Sequence, residues 1–183
     1  MQPWKTLKKK TILEHSKYLV VESHTVELPD GTIILDWPWV ITPDYVIVIP
    51  VSAEGIVTCF RQVKYSVPGT TLAPVGGYLE PGEDPLAAAK RELKEEMGLA
   101  SEDWTRLGQY QIDGNRGVAA CYLYLARNTI WSADRDADDL EEQEIVTLNL
   151  EEVRAALKVG EFKVLAWAAA VSLALLDLEE KER

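Results

Sequence analysis

GYLEPGEDPLAAAKRELKEEMGL, running from Gly77 to Leu99, decides how the rest of the chain is read. Asp84 is a strong helix N-cap and Pro85 suits a first turn, so the spacing predicts a helix that begins there. Gly98 stands where a left-handed residue would end it. Between them, LAAAKRELKEEM is built of good helix formers. Ala89, Leu93 and Met97 recur at i, i+4 and i+8 and form a stripe to bury. Glu92 and Glu96 lie one turn apart on another face, with Glu95 beside them, and Arg91 is placed to pair with Glu95. Three acids on neighbouring helical positions repel one another. The bland reading is a solvated acidic face. The sharper one is a divalent-cation site, since Mg²⁺ prefers carboxylate oxygens and is commonly shared with substrate phosphates.

A chain of 183 residues predicts one domain with a real core. Its 47% hydrophobic and 27% charged residues are those of a globular protein. The net charge of −11 argues against a nucleic-acid backbone or an anionic membrane as partner. It also raises a difficulty for any enzyme of anionic phosphates, which bound metal ions would resolve locally. Cys59 and Cys121 sit in apolar, strand-like contexts and read as reduced core residues of an intracellular, cytoplasmic protein. No apolar segment follows the lysines at 5, 8, 9 and 10 as a secretory signal requires. The most apolar run, Val164 to Leu176, is shorter than the roughly 20 residues of a membrane span and reads as a buried helix. With histidine only at His15 and His24, no Ser/His/Asp arrangement or zinc-like cluster is visible.

In chain order, Met1 to His15 is polar and basic. Lys17 to Glu27 and Thr32 to Val40 read as a hairpin across Leu28-Pro29-Asp30-Gly31. Trp37, Pro38 and Trp39 form a bulky patch, either core or a dimer contact. Asp44 to Val51 and Gly55 to Val63 are two more strands. Paired Gly76 and Gly77 ahead of the helix allow close backbone approach to a ligand or metal. Beyond the helix come strands at Trp104 to Ile112 and Val118 to Ala126, joined by a turn at Asp113 to Gly117. An acidic loop at Ala133 to Glu144 leads to a strand at Ile145 to Leu150, a helix at Glu151 to Val159, and a last helix from Phe162 to about Leu178. The chain reads as α/β, with a mixed sheet carrying the Gly77–Leu99 helix on one face and the C-terminal helices on the other. It is expected to be a single domain over residues 1–183, with an N-terminal antiparallel strand section at 1–43 and a core at 44–183.

The quoted stretch fits G-x5-E-x7-R-E-U-x-E-E-x-G-U at every position, U being aliphatic: Gly77, Glu83, Arg91, Glu92, Leu93, Glu95, Glu96, Gly98 and Leu99. At average residue usage a chance match is on the order of one in ten million. This box resembles that of the Nudix hydrolases, which typically cleave a diphosphate linked to another moiety with Mg²⁺ or Mn²⁺. The resemblance implies the Nudix fold, with Glu92, Glu95, Glu96 and the Gly76 carbonyl as metal ligands. Glu95 and Arg91 belong to the catalytic set, Arg91 orienting a glutamate, while Glu83 supports the cluster. Leu28-Pro29-Asp30-Gly31, Arg61-Gln62, Ala73 to Gly77 and the ending IVTLNLEEV look like the ADP-ribose pyrophosphatase branch. That implies a nucleoside diphosphate sugar as substrate and a homodimer that exchanges N-terminal strands. It also implies a base or extra metal ligand from the acidic loop, placed at Asp139 and Glu141 with Glu142 in reserve. Arg61, Gly77 and Arg116 are the substrate-binding candidates, and Tyr45 or Trp37 a surface for a base. Where many of that branch carry Ser-Pro-Gly, this chain has Asp113-Gly114-Asn115-Arg116-Gly117, which leaves GDP-mannose and other nucleoside diphosphate sugars open. A rival function is a module that binds a nucleotide sugar without cleaving it.

Overall fold

The computed structural model describes residues 1–132 and 142–181. The elements in order are β1 (Lys5–His15), β2 (Leu19–Glu27), β3 (Ile33–Ile41), β4 (Tyr45–Pro50), β5 (Ile56–Lys64), β6 (Val67–Ala73), α1 (Pro85–Met97), β7 (Leu99–Ala100), β8 (Asp103–Asp113), β9 (Gly117–Arg127), β10 (Ile130–Trp131), β11 (Gln143–Asn149), α2 (Leu150–Lys158) and α3 (Leu165–Lys181). They fall into two compact units, Met1–Asp44 with Tyr110–Ala120, and Tyr45–Gln109 with Cys121–Arg183.

The first unit is an antiparallel meander, β1 on β2 and β2 on β3. Its β2–β3 turn is the one the Pro-Asp-Gly signal predicts: Gly31 takes φ of 84° and Asp30 accepts from the Thr32 N–H at 2.9 Å. Val40 and Ile41 pair in parallel with Gly117 and Val118, which draws the 110–120 turn into this unit. Gly117, at φ of 78°, lies against the Trp39 indole, and a Cβ there would collide with the ring. Trp39 in turn stacks on buried His24, whose ring bonds Glu22 at 2.8 Å, so this histidine is a packed core residue. Trp37 meets Trp4 edge-on and donates to the Asn115 carbonyl at 2.8 Å. β1 was not foreseen: every one of its residues is exposed, so no alternation marks it.

In the second unit β4 runs parallel to β9 from Tyr45↔Cys121 to Pro50↔Ala126. A separate three-stranded sheet has the order β11-β5-β6. β6 is a further strand the sequence disguised, because Pro68 and Gly69 read as loop. Strand alternation divides the core in two. Val46 and Val48 of β4, with Tyr124 and Ala126 of β9, pack with Ala88, Ala89, Leu93 and Met97 of α1. Ile47 and Ile49, with Cys121, Leu123 and Leu125, pack with Val153 of α2 and Ala170, Val171 and Ala174 of α3. The sheet is thus sandwiched between α1 and the C-terminal helices, as period-2 side chains on a strand buried on both faces require. Cys59 and Cys121 are free and buried, and burial pushes their thiols up to about 12 and about 11. Among the described residues no helix is long and apolar enough to cross a membrane.

Candidate active site

The helix α1 is held by its ends and its buried stripe. Asp84 Oδ1 accepts from the Leu86 and Ala87 N–H groups at 3.0 Å each, and Pro85 fills the first turn. Gly98 closes the helix at φ of 67°. Leu93 and Met97 are fully buried, each contributing about 1.5–3 kcal/mol. Repulsion between partly solvated carboxylates is about 1 kcal/mol or less per pair, so the core fixes the helix and the acids follow.

The loop ahead of α1 runs along β4. Val48 N–H donates to the Val75 carbonyl and Val46 N–H to the Gly77 carbonyl, both at 2.9 Å. With those two carbonyls turned to β4, the alternation of an extended segment leaves the Gly76 carbonyl on the opposite edge. Gly76 is sterically required by the backbone of β4, and Gly77 is required as long as the Glu92 side chain keeps its place. A Cβ on Gly76 would strike the Val46 carbonyl oxygen, and a Cβ on Gly77 would strike the Glu92 carboxylate. Glu92 is therefore tucked under the Gly77 backbone at 8% exposure.

Arg91 ties the acids together. Its Nε and Nη2 donate to the two oxygens of Glu83, both at 3.0 Å, in a fork. Its Nη1 donates to Glu92 Oε1 at 2.7 Å and to Glu95 Oε2 at 3.2 Å. Glu83 Oε2 also accepts from the Glu80 N–H at 2.9 Å. The Arg91 hydrogen bonds hold the Glu83 carboxyl below its ordinary range. Burial instead raises Glu92, against the opposing pull of Arg91. One environment thus separates two carboxylates that share a partner.

Glu96 opens onto a cleft of about 300 Å³ with Gly76, Gly77 and Tyr78. Tyr45, Phe60, Gln62, Lys64, Gln143 and Trp167 complete much of its wall. Burial raises the Tyr45 phenol above its ordinary value. Of the residues singled out from sequence, the structure brings Gly76, Gly77, Arg91, Glu92, Glu95 and Glu96 together, with Tyr45 on the same cleft. Arg61 is not on that wall. It pairs with Glu161 at 3.1 Å, and strand parity puts it with Cys59 on the face turned from Phe60 and Gln62. Arg116 belongs to the first unit, where it bonds Asp113 at 3.1 Å across its own turn. Glu142 is exposed, one residue before β11, while Asp139 and Glu141 lie outside the described residues. Sequence reasoning passed over Gln62, Lys64, Gln143 and Trp167. The parity of β5 carried the signal for the first two; Trp167 gave none, since only the packing of α3 brings it to the cleft.

The donor set suits a hard divalent cation: carboxylate oxygens and a backbone carbonyl beside a glycine pair against which Glu92 closes directly. In the arrangement seen, Glu92 and Glu95 both turn to Arg91, and among the described residues no three acidic, histidine or cysteine side chains converge as a metal-holding group.

Comparison with known proteins agrees with this geometry. The NUDIX domain model matches residues 42–168, and a model described as the nucleoside diphosphate sugar hydrolase N-terminal domain matches residues 4–40. The ADP-ribose pyrophosphatase of Bacillus subtilis (strain 168) is 28% identical over 183 residues, covering 97% of this chain and 96% of the relative. The ADP compounds hydrolase NudE of Escherichia coli (strain K12) is 27% identical over 146 residues, 76% of this chain and 75% of that protein. A crystal structure of an ADP compounds hydrolase superposes with a TM-score of 0.81 over 99% of this chain and 97% of its own, at 21% identity, and so shares the fold. With the family match spanning most of the chain, three box carboxylates gathered on Arg91 and Glu96 lining the cleft, this chain belongs to the NUDIX family and is a Nudix hydrolase.

Proposed function

We propose that the protein is a divalent-metal-dependent pyrophosphohydrolase that cleaves the diphosphate of a nucleoside diphosphate sugar, ADP-ribose first among them, to a nucleoside monophosphate and a sugar phosphate. The observation that carries this is the seating of Glu92 under Gly77 with Glu96 lining the cleft beside the same glycine pair, which supports a carboxylate-bound cation at the cleft's edge. The name of the Bacillus relative and the description of the N-terminal family model support the substrate class. Glu92, Glu95, Glu96 and the Gly76 carbonyl would hold Mg²⁺, or Mn²⁺ in its place. When bound, such an ion supplies Lewis-acid stabilisation of phosphate charge and acidifies a bound water.

The chain's own residues do the rest. Arg91 gathers Glu83, Glu92 and Glu95 on one guanidinium beside the cleft-lining Gly77. Lys64, on the cleft wall, takes the phosphate-facing role that the sequence alone had given to Arg61. The proton acceptor is assigned to the acidic segment before β11, to Asp139 or Glu141 with Glu142 in reserve. Arg116 remains a candidate for the distal sugar. A homodimer and a cytoplasmic setting complete the reading, the latter supported by two buried free thiols.

A product-resolved hydrolysis panel in Mg²⁺ and in Mn²⁺ tests it, with ADP-ribose, GDP-mannose, UDP-glucose, NADH, diadenosine polyphosphates and nucleoside triphosphates. AMP and ribose phosphate released from ADP-ribose are the expected products. Preference for GDP-mannose would keep the chemistry and overturn the sugar assignment, directing attention to the Asp113–Gly117 turn. Binding of a nucleotide sugar that stays intact in both metals would overturn the enzyme reading in favour of a binding module.

A further inference from the structure

Arg91 makes two different kinds of contact with its carboxylates. On one side, Nε and Nη2 grip both oxygens of Glu83 at 3.0 Å, Nη2 also reaches the Tyr78 carbonyl at 3.3 Å, and Glu83 is itself pinned by the Glu80 N–H. On the other, a single nitrogen, Nη1, is divided between Glu92 at 2.7 Å and Glu95 at 3.2 Å. The first is a bidentate, anchored pairing; the second gives the two hydrogens of one nitrogen singly to acids at two positions on the helix. Glu92 is buried beneath Gly77, where an uncompensated carboxylate would be costly, and Arg91 supplies its positive charge. Lys90 and Lys94 of the same helix are exposed.

We infer that Arg91 is a placeholder counter-ion: its Nη1 arm occupies Glu92 and Glu95 until a divalent cation takes their oxygens, while its Glu83 side stays locked. The inference rests on the proposed metal-dependent reading of this site. It accounts for two facts together, the pairing of Glu92 and Glu95 with one guanidinium nitrogen and the gathering of three acids around Arg91 without any three, among the described residues, grouped so as to hold a metal. A guanidinium carries one delocalised charge, whereas a divalent ion offers two to the same oxygens, so the exchange favours the ion once it is present. Locking at Glu83 keeps the freed arm beside the site instead of releasing it to solvent. The two roles open to Arg91 then differ in sign. A residue that merely orients the glutamates helps metal binding, and its loss weakens that binding. A placeholder competes with metal, and its loss strengthens it.

Isothermal titration with MgCl₂ and MnCl₂ alone, without nucleotide, distinguishes them in the full chain, R91Q and K94Q. Lys94→Gln removes one positive charge from an exposed position on the same helix and corrects for net charge. The expected result is that R91Q binds metal several-fold more tightly than both the wild type and K94Q. Binding in R91Q that is equal to K94Q, or weaker, overturns the placeholder while leaving the metal site standing. Absence of binding in the wild type and R91Q alike overturns the metal reading and the placeholder with it. A second measurement needs no variant. In ¹⁵N spectra of the wild type, Mg²⁺ is expected to strip exchange protection from the Arg91 Nη1 hydrogens while the Nε–H, held by Glu83, keeps its own. Nη1 protection unchanged at saturating metal overturns the inference.

Discussion

The helix α1 and the strand β1 are near opposites in what their sequences specify. Along α1 the apolar stripe is buried, both ends are capped, and three carboxylates in and around it share one guanidinium. Along β1 every residue is exposed, lysines stand at 5, 8, 9 and 10, and the pairing with β2 slips at two places. Lysines and bulges are the usual means of keeping an edge strand from pairing with the wrong chain. The comparison teaches that a segment is legible to the degree that burial constrains it. In α1 each position has one job, so the pattern is readable; in β1 few positions are constrained, and the strand exists through its hydrogen bonds to β2.

The largest effect that sharpens this contrast is chemical. Glu96→Gln should leave the fold intact, since Leu93 and Met97 hold the helix in place, yet lower turnover by about a thousandfold, several kcal/mol of lost transition-state stabilisation. Full activity at matched thermal stability would remove Glu96 from the metal set. Packing gives the next effect. Leu93→Ala in α1 should cost about 2–5 kcal/mol, while Leu13→Ala in β1 should stay within about 0.5 kcal/mol. Denaturant titration of both variants checks this. A large, concentration-dependent loss for Leu13→Ala would break the comparison, showing that a second copy covers β1.

The same contrast explains what the sequence disclosed of the site. Asp84, Gly98, the buried stripe and the Arg91–Glu95 pair could all be placed from spacing, because a helix converts spacing directly into geometry. The grip of Arg91 on Glu83, eight residues away, needed the turn at Gly82, whose conformation spacing does not report. The alternation of β5 groups Lys64 with Phe60 and Gln62 and Arg61 with Cys59, but which of the two faces meets the cleft is fixed only by Phe60 packing with α1 and Cys59 with the C-terminal helices. Trp167 lies far along the chain from the box and reaches the cleft only because α3 folds back on the sheet. The two halves of the core were foreseeable in kind from the uninterrupted apolar run YVIVIP, which must be covered on both faces.

The finest test concerns a contact that neither α1 nor its preceding loop makes alone. Gly77 has no left-handed backbone to excuse it; the requirement is purely the Glu92 carboxylate lying where a Cβ would stand. Gly77→Ala adds one methyl group on the loop, and two outcomes compete. If the loop yields, its bonds to β4 at Val46 and Val48 weaken and stability falls. If the Glu92 side chain yields, the fold survives while the carboxylate leaves Arg91 Nη1 and its seat under Gly77. The loop is anchored by backbone hydrogen bonds to a fully buried strand, whereas a side chain can change rotamer, so the second outcome should dominate. A displacement of about 1 Å at a catalytic group is enough for roughly a hundredfold loss. Kinetics and thermal unfolding of Gly77→Ala side by side should therefore show activity reduced by about ten- to a hundredfold with little change in stability. A variant that unfolds readily would instead show that Glu92, gripped by Arg91, is the more rigid partner.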